Sequence, residues 1–350
     1  DYGLSLDASW EVDLWLRLRD LDFAARADFE AARADFRGAR LSLAANTSKA
    51  YFDLITAQQQ LDLAKKTRDS FIRNHKIISG NYLAGDATAL DVGFSNTNVA
   101  AAERDVVSRD LAREDAARVL ENFLGRYPSA KISAGATLPD LKQDVPAGLP
   151  SELLMRRPDL VAAQAAVYAS ARRADATRKE LLPSFRLTAG GTSASGELTE
   201  MLIDPDEIVW NVATSLAQTI YQGGALRADA RRALEQNEEQ IRNFASLVLT
   251  ALREVESALA AERSLLKQEY WISQQVQQSN LAEEQAERDY TEGLVGILEL
   301  LEAQRRAVNG RVSQIVLRNQ RLQNRIDLYL ALGGDFKTEP EKLEVQSESE

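Results

Sequence analysis

The sequence lacks cysteine altogether and contains a single histidine, His75. The absence of cysteine excludes disulfides, thiolate zinc sites and a lipidated cysteine within these residues, and it leaves the redox compartment undecided. A metal site needs several ligands, so one histidine on a helical stretch is better explained by packing or solvent exposure. With one histidine and no cysteine, the sequence offers almost no residues for catalysis by a Ser–His or Cys–His pair. We therefore expect no metal, no cofactor and no enzymatic activity.

The sequence also lacks a basic patch and a long apolar run. Its 53 acidic residues outnumber its 42 basic ones, giving a net charge of −11, which argues against nucleic acid as a partner because phosphate binding needs a basic stripe. No stretch approaches the roughly 20 apolar residues of a membrane-spanning helix, and no signal peptide is recognisable. Alanine, leucine, arginine, glutamate and glutamine dominate, which is typical of long helices.

The first fifteen residues, DYGLSLDASWEVDLW, alternate between polar and apolar side chains. This period of two predicts a strand at 2–15 with one apolar face. Similar patterns predict strands at 184–196 and 207–221. Their lengths suit either a soluble sheet packed on helices or tilted membrane-spanning strands. The membrane interpretation is favoured by four predicted membrane-interface aromatics on the strands or at their ends: Trp10, Trp15, Trp210 and Tyr221.

The chain contains two copies of one unit, offset by 208 residues. The offset predicts a first structural repeat at 1–125, a Pro-, Gly- and Ser-rich linker at 126–150 and a second repeat at 151–335. It also joins Arg19 to Arg227, which begin long helices just below the strands and are explained by solvation or a local salt bridge. By symmetry we expect a further helix and strand before residue 1 of the intact protein. Other identical pairs are Tyr82 and Tyr290, Gly85 and Gly293, and Leu90 and Leu298.

Each repeat is predicted to hold a strand, a long helix, a tight break and a return helix. Phe29, Phe36, Leu43 and Ala50 are seven residues apart with alanines between them, which is typical of a coiled-coil seam where helices approach closely. The breaks are predicted at 79–86 and around Gly293 and Gly296. Helices are predicted at 20–78, 90–122, 151–182, 226–290 and 298–330, and the charged tail at 336–350 is predicted to be disordered.

Strand number leads to a prediction about assembly. Even with the expected additional strand, one chain would have four long strands, which cannot close a barrel. An open sheet edge is not tolerated in hydrocarbon. If the strands span a membrane, several chains must therefore share one barrel.

Seven motifs resemble, in order, those of the outer-membrane efflux factors of the TolC/OprM type, in particular the NodT-like outer-membrane lipoprotein branch. The resemblance runs from residue 1 to about residue 335. The signal, lipid-bearing cysteine, first helices and first strand of that family do not occur in this sequence, so a lipid anchor is an expectation for the intact protein only. The motifs are LDASWEVDLWLRLR (6–19), PAGLPSELLMRRPDL (146–160), LLPSFRLTAGG (181–191), TIYQGGALRA (219–228), REVESAL (253–259), YTEGLVGILELLEAQRR (290–306) and LYLALGG (328–334).

The resemblance implies a mainly α-helical protein with membrane β-strands. Three chains would build one 12-stranded β-barrel in the outer membrane of a Gram-negative bacterium, above a coiled α-helical tunnel that extends into the periplasm. The homotrimer would contact outer-membrane lipid, a periplasmic adaptor (membrane fusion protein) and an inner-membrane pump, usually of the RND class. It would be a passive exit duct for small molecules. The alternatives are a duct for type I protein secretion and a soluble coiled-coil scaffold or adaptor.

The resemblance also places a periplasmic gate near the breaks that follow Tyr82 and Tyr290. The family closes its tunnel with rings of acidic side chains, which correspond here to Asp91, Glu299 and Glu302, where the family usually has aspartate. The alternative is that these are ordinary first-turn acids, favoured by the helix macrodipole. Three-fold symmetry would collect like charges around one axis, which favours cations.

Four residues at the breaks are predicted helix-tip contacts: Tyr82, Gly85, Tyr290 and Gly293. The tyrosines are either tethers between helices or hydrophobic staples of the turns. The glycines are better explained by turn geometry than by chemistry. Some family members carry an arginine five residues after the second tyrosine; this position is Val295 here, so that tether is absent.

Overall fold

The computed structural model describes residues 2–141, 156–195 and 208–334. Across these described ranges, no helix combines the length and apolar character needed to cross a membrane. The tail predicted at 336–350 and the start of the helix predicted from residue 151 lie outside the described residues. The described strands and helices are β1 (Tyr2–Val12), α1 (Arg17–Ala84), α2 (Ala89–Phe123), α3 (Pro158–Lys179), β2 (Ser184–Ser195), β3 (Ile208–Ala217), α4 (Ala225–Thr291) and α5 (Ile297–Ala331).

The three strands form one antiparallel sheet in the order β1–β2–β3. Trp10 pairs with Leu187, which pairs in turn with Thr214. Directly paired residues share a face of a sheet, so the alternation predicted for each strand adds up to one apolar face. The large side chains of that face are exposed in the single chain: Leu6, Trp10, Trp210, Val212 and Leu216. The opposite face carries polar rows, such as Glu11, Arg186 and Ser215.

Strand β1 ends at Val12, three residues before the predicted end, because the Asp13 side chain caps the first turn of the next helix. The Asp13 carboxylate accepts hydrogen bonds from the backbone N–H groups of Leu18 and Arg19, at 3.0 and 2.9 Å. Burial opposes these bonds, but the bonds from the N–H groups prevail and lower the pKa of Asp13. Leu16 adopts a positive φ of 61° at the corner. The capped first turn therefore fixes the start of α1 at Arg17.

Each long helix ends at a glycine in the left-handed region, Gly85 with φ 89° and Gly293 with φ 73°. Only glycine adopts this conformation without a steric cost. Helix α1 continues through Ser79 and Gly80, so the break is shorter than the predicted 79–86. The bounds of α2 and α5 differ by the same 208 residues as the sequence repeat.

The chain divides into two compact units that each draw on both sequence repeats. The first unit comprises Asp1–Gly38 and Pro158–Thr250. Small side chains allow α1 and α3 to approach closely there, through Ala24, Ala27 and Ala169. Asp20, which is buried, forms an ion pair with Lys179 at the end of α3.

The second unit comprises Ala39–Arg157 and Ala251–Glu350. Its two helix pairs have different cores. The α1–α2 pair is apolar at Ala50, Leu54, Ala117 and Leu120. In the α4–α5 pair, the positions 208 residues after Leu54 and Ala117 are Glu262 and Arg325, whose side chains hydrogen-bond at 2.7 Å.

The segment predicted as the start of a linker packs against α1. Ala130, Ile132 and Ala134 contact the apolar core of the α1–α2 pair. Glu121 holds the segment, since its carboxylate accepts hydrogen bonds from the backbone N–H groups of Ala130, Lys131 and Ile132 and from the Ser129 hydroxyl. Residues 142–150 of the predicted linker lie outside the described residues.

Candidate functional site at the helix turns

The turn after α1 and the turn after α4 lie together in the second unit. Ile78 of α1 forms a buried cluster with Ile297 and Leu300 of α5. Val92 of α2 and Tyr290 of α4 pack against this cluster. All four helices thus contribute to one apolar centre, which brings the predicted gate acids of both repeats into one region.

Asp91 forms a capping box with Thr88 at the start of α2. Its backbone N–H donates to Thr88 Oγ1 at 3.2 Å, and its carboxylate accepts from the Thr88 backbone N–H and hydroxyl, both at 2.8 Å. This reciprocal pair satisfies two N–H groups that the first helical turn leaves unpaired. The geometry of Asp91 is that of a first-turn acid, as in the alternative interpretation.

Glu299 occupies the same helical position in the second repeat but has a different environment. The N-cap of α5 is Gly296, which has no side chain to form a capping box. The Glu299 carboxylate leans over that glycine, since a Cβ built at Gly296 would lie 3.0 Å from Glu299 Oε2. Glu299 is exposed and forms no hydrogen bond or ion pair with any residue that the structure describes. Its carboxylate is therefore stabilised only by its place in the first turn of α5.

Glu302 is not an isolated negative charge. Its carboxylate accepts from Arg306 Nε at 2.6 Å and from Arg305 Nη2 at 2.6 Å. The bond from Arg306, followed by that from Arg305, lowers the pKa of Glu302. With two guanidinium groups against one carboxylate, this turn of α5 is positive overall.

The two matched tyrosines also differ. Tyr290 packs against the apolar centre of the turns, and burial, together with the negative charge of Asp91, raises the pKa of its phenol. This arrangement fits the hydrophobic-staple interpretation. Tyr82 is exposed instead. Gly85 and Gly293 take the turn conformations described above.

Two polar residues in this region were missed by the sequence analysis. Gln304 of α5 is 1% exposed and donates to Glu287 of α4 at 3.2 Å. Glu287, Asn74 and Tyr290 line a small cavity beside it. The sequence could have predicted the burial of Gln304, because it follows Ile297 and Leu300 at the helical spacing of the buried side of α5. Among the described residues, no group of His, Asp and Glu side chains could hold a metal ion.

Both turns expose large apolar side chains. Leu90 and Leu298, which are 208 residues apart, are 64% and 61% exposed. Leu83 and Leu294 are even more exposed. Monomeric soluble proteins rarely show such a concentration of exposed leucine unless it marks an interaction site.

The four predicted interface aromatics divide into two groups. Trp10 and Trp210 lie within strands on the exposed apolar face. Trp15 lies beyond β1, and its indole N–H donates to the Pro183 carbonyl at 2.7 Å. Tyr221 lies beyond β3 and is 86% exposed. Aromatic groups therefore stand both on the sheet and at its helix-side end.

Comparison with known proteins identifies relatives along nearly the whole chain. A sequence model of a family described as outer membrane efflux protein matches residues 1–126 and 149–334. The chain is 29% identical over 339 residues to the pyoverdine export outer membrane protein OpmQ of Pseudomonas putida, covering 97% of this chain and 72% of OpmQ. It is 27% identical over 340 residues to the cation efflux system protein CusC of Escherichia coli, covering 96% of this chain and 73% of CusC.

The fold is also that of solved relatives. A crystal structure of CusC superposes with a TM-score of 0.88 at 26% sequence identity, covering 95% of this chain and 78% of the CusC chain. Similarity in sequence and in fold thus extends over the strands, the long helices and both turns.

Proposed function

The chain belongs to the outer membrane efflux protein family, and we propose that it acts as a homotrimer whose tunnel is gated by Glu299. Its place as an outer-membrane efflux channel, and not an enzyme, follows from the family and from the relatives that match nearly all of it. Its fold is that of the TolC-like channels. The proposal concerns the copies, partners and residues through which it works.

The apolar face of the sheet is the observation that carries the membrane assembly. Trp10, Trp210 and Val212 are exposed together in the single chain. Exposing apolar surface to water costs about 25 cal/mol of free energy for each Å². β1 and β3 each have one edge without a described partner strand, and unpaired edges are not stable in hydrocarbon. A barrel wall built from several copies would place the apolar face in lipid and pair the free edges of β1 and β3.

The helices supply a second surface suited to contact between copies. Phe29 and Phe36, one heptad apart on α1, are 66% and 64% exposed. Large side chains repeated every seven residues are the pattern of a helix–helix seam. A neighbouring copy that covers this stripe would remove both phenyl rings from water.

An adaptor and an inner-membrane pump are the partners that complete an exit route across two membranes. The exposed leucines of the turns, Leu83, Leu90, Leu294 and Leu298, support docking of an adaptor at this end. The relatives are named for different cargoes: OpmQ for pyoverdine export and CusC for cation efflux. We infer small-molecule export, with the pump choosing the cargo.

The carboxylate of Glu299, which has no ion-pair partner among the described residues, supports a role for this residue at the constriction. In a trimer, three such groups would surround one axis and attract cations. Asp91 is engaged in its capping box and Glu302 is paired with two arginines, so neither offers a comparable free charge. We therefore assign the gate to Glu299 and a structural role to Asp91.

The gate is tested by conductance of the reconstituted protein in planar bilayers, with hexaamminecobalt(III) as the blocking ion. Glu299→Gln should weaken block at least about fivefold, as expected for losing roughly 1 kcal/mol of screened attraction. The matched control is Asp91→Asn, which removes the same charge from the first turn of α2 and should change block less than about twofold. Equal effects of the two substitutions would remove Glu299 from the gate.

A further inference from the structure

The helix-side end of the sheet carries a belt of exposed apolar side chains. It lies where β1, β2 and β3 give way to α1, α3 and α4 within the first unit. Aromatic residues flanked by aliphatic ones are typical of the headgroup level of a membrane. The belt consists of Leu14, Trp15, Leu182, Ile220 and Tyr221.

Arg19 stands next to this belt without an acidic partner. It is the third residue of α1, and its guanidinium lies over the Phe23 ring, 5.1 Å from the ring centre. Within the part of the chain that the structure describes, no carboxylate pairs with it. Arg172 lies over the same ring at 5.8 Å. A cation–π contact of this kind leaves the N–H donors of Arg19 available to another partner.

Arg227 occupies the equivalent helical position in the second copy, where Arg231 stands in place of a counterpart to Phe23. It is the third residue of α4, 208 residues after Arg19, and it follows Ile220 and Tyr221 as Arg19 follows Leu14 and Trp15. It is exposed and has no hydrogen bond or ion pair to another residue of the described ranges. Among the residues that the structure describes, neither Arg19 nor Arg227 forms the salt bridge considered from the sequence.

The direction of Arg19 follows from its neighbour Arg17. Arg17 donates to Glu11 at 2.8 and 3.0 Å, and Glu11 belongs to a polar row of the sheet. Successive helical residues are turned by about 100°, so Arg19 projects about 200° away from Arg17. Arg19 is therefore turned away from the polar row to which Glu11 belongs.

We infer that Arg19 and Arg227 bind the phosphate groups of phospholipid headgroups in the membrane leaflet next to the helices. This inference rests on the proposed membrane assembly. A guanidinium group presents paired N–H donors that match two phosphate oxygens, and the neighbouring aromatics hold the same depth in the bilayer. The two arginines thus fix the depth of the sheet in the bilayer at the two places where a strand leads into a long helix.

The test is lipid selectivity of the reconstituted full chain. Trace spin-labelled phosphatidylglycerol is compared with spin-labelled phosphatidylcholine in phosphatidylcholine vesicles, and the relative association constant is read from the immobilised fraction. The wild type should prefer phosphatidylglycerol, and Arg19→Gln with Arg227→Gln should reduce the preference about fivefold or more. The matched control removes two ion-paired arginines of the same helices, Arg26 and Arg232, and should retain the preference.

Four outcomes would overturn the inference. Three are read from the same assay: an unchanged preference in the Arg19 and Arg227 variant, an equal loss in the control, and loss of the wild-type preference when inorganic phosphate is added in about hundredfold excess over labelled lipid, which would indicate a site for free anions. Dissociation of the variant in lipid-free detergent would instead assign the arginines to contacts between copies, and it too would overturn the inference. Circular dichroism checks that the variants fold. If the wild type inserted into no bilayer and carried no current, the proposed function itself would fail.

Discussion

Replacing Gly296 with threonine should give α5 the capping box that α2 already has. Gly296 has φ −82° and ψ 173°, close to the φ −98° and ψ 161° of Thr88, so threonine fits this backbone without strain. The Glu299 carboxylate already lies over the position of the new side chain. We expect it to accept hydrogen bonds from the backbone N–H of residue 296 and from the new hydroxyl, as Asp91 does from Thr88.

The substitution should stabilise the protein slightly. Replacing a glycine at a compatible backbone conformation contributes about 0.4–1 kcal/mol through the unfolded chain, and a hydroxyl N-cap adds a few tenths of a kcal/mol over glycine. The carboxylate must shift by a few tenths of an ångström to admit the new Cβ, which offsets part of the gain. A net gain of roughly 1 kcal/mol corresponds to a rise in Tm of about 1–2 °C for a chain of this size.

The same substitution should weaken cation block by engaging the gate carboxylate. In water, a carboxylate and a trivalent ion about 6 Å apart attract by about 2 kcal/mol, and salt near 0.1 M halves this to about 1 kcal/mol. Each Glu299 drawn back to its helix should therefore weaken hexaamminecobalt(III) block by up to about fivefold. Planar-bilayer conductance measures the block, and calorimetry in detergent measures Tm.

Gly296→Ala is the control, since it adds the Cβ without the hydroxyl that completes the box. It should retain most of the wild-type block. If Gly296→Thr raised Tm but left the block at the wild-type value, the free carboxylate of Glu299 would not be what cations meet at the constriction, and the reasoning would be refuted.

Three further predictions concern the framework that holds the turns. Gly333→Ala should lower Tm more than its repeat counterpart Gly125→Ala, because both have positive φ but only a Cβ at Gly333 meets backbone, 2.8 Å from Arg156 C; equal losses would contradict this. Glu121→Gln should destabilise the protein at neutral pH, since backbone hydrogen bonds lower the pKa of Glu121 against an opposing burial effect. The stability that this carboxylate contributes is present above the ordinary carboxyl pKa and is lost as pH falls through the lowered pKa of the folded state. The difference in Tm between wild type and variant should therefore vanish in acid. Arg325→Ala should cost roughly 1–3 kcal/mol, because it removes the main partner of the half-buried Glu262, to which Arg321 stays close at 3.4 Å. Adding Glu262→Leu should restore most of this loss, as measured by urea unfolding in detergent; a double variant no more stable than the single one would argue against the pairing.

Much of the fold follows from periodicity in the sequence. The alternation from Tyr2 to Val12 predicts β1 and its exposed apolar face, because side chains of a strand alternate between two sides. The 208-residue offset predicts both turns, since Gly85 and Gly293 must each supply the positive φ at which a helix stops. The end of β1 was predicted three residues late because the polar–apolar alternation continues through Asp13. The Asp13 carboxylate instead accepts hydrogen bonds from the first turn of α1.

The candidate site was predicted less completely than the fold. The offset treats Asp91 and Glu299 as equivalent, but the residues three positions earlier, Thr88 and Gly296, decide whether the carboxylate is engaged. That difference was readable from sequence by applying the capping-box rule to each turn. The pairing of Glu302 with the two following arginines was likewise suggested by their spacing of three and four residues.

Tertiary contacts account for what no local pattern could reveal. The Glu121 carboxylate accepts hydrogen bonds from backbone N–H groups nine to eleven residues further along the chain. No pattern within its own helix predicts that role. The exchange of Leu54 and Ala117 for Glu262 and Arg325 becomes a part-buried ion pair only because the two helices of the second pair meet at that level. That Arg227 forms no ion pair with another residue of the described ranges likewise emerges only from the packed structure.

The lipid-facing side of the sheet is the central claim, and the lack of cysteine allows it to be measured directly. Val212 lies on the apolar face and Ala213 on the opposite one, so Val212→Cys and Ala213→Cys can each carry a single fluorescent label in the reconstituted protein. The account predicts that brominated lipid quenches the label at position 212 and that a water-soluble quencher reaches the label at position 213. Equal quenching at both positions, or the reverse pattern, would contradict it.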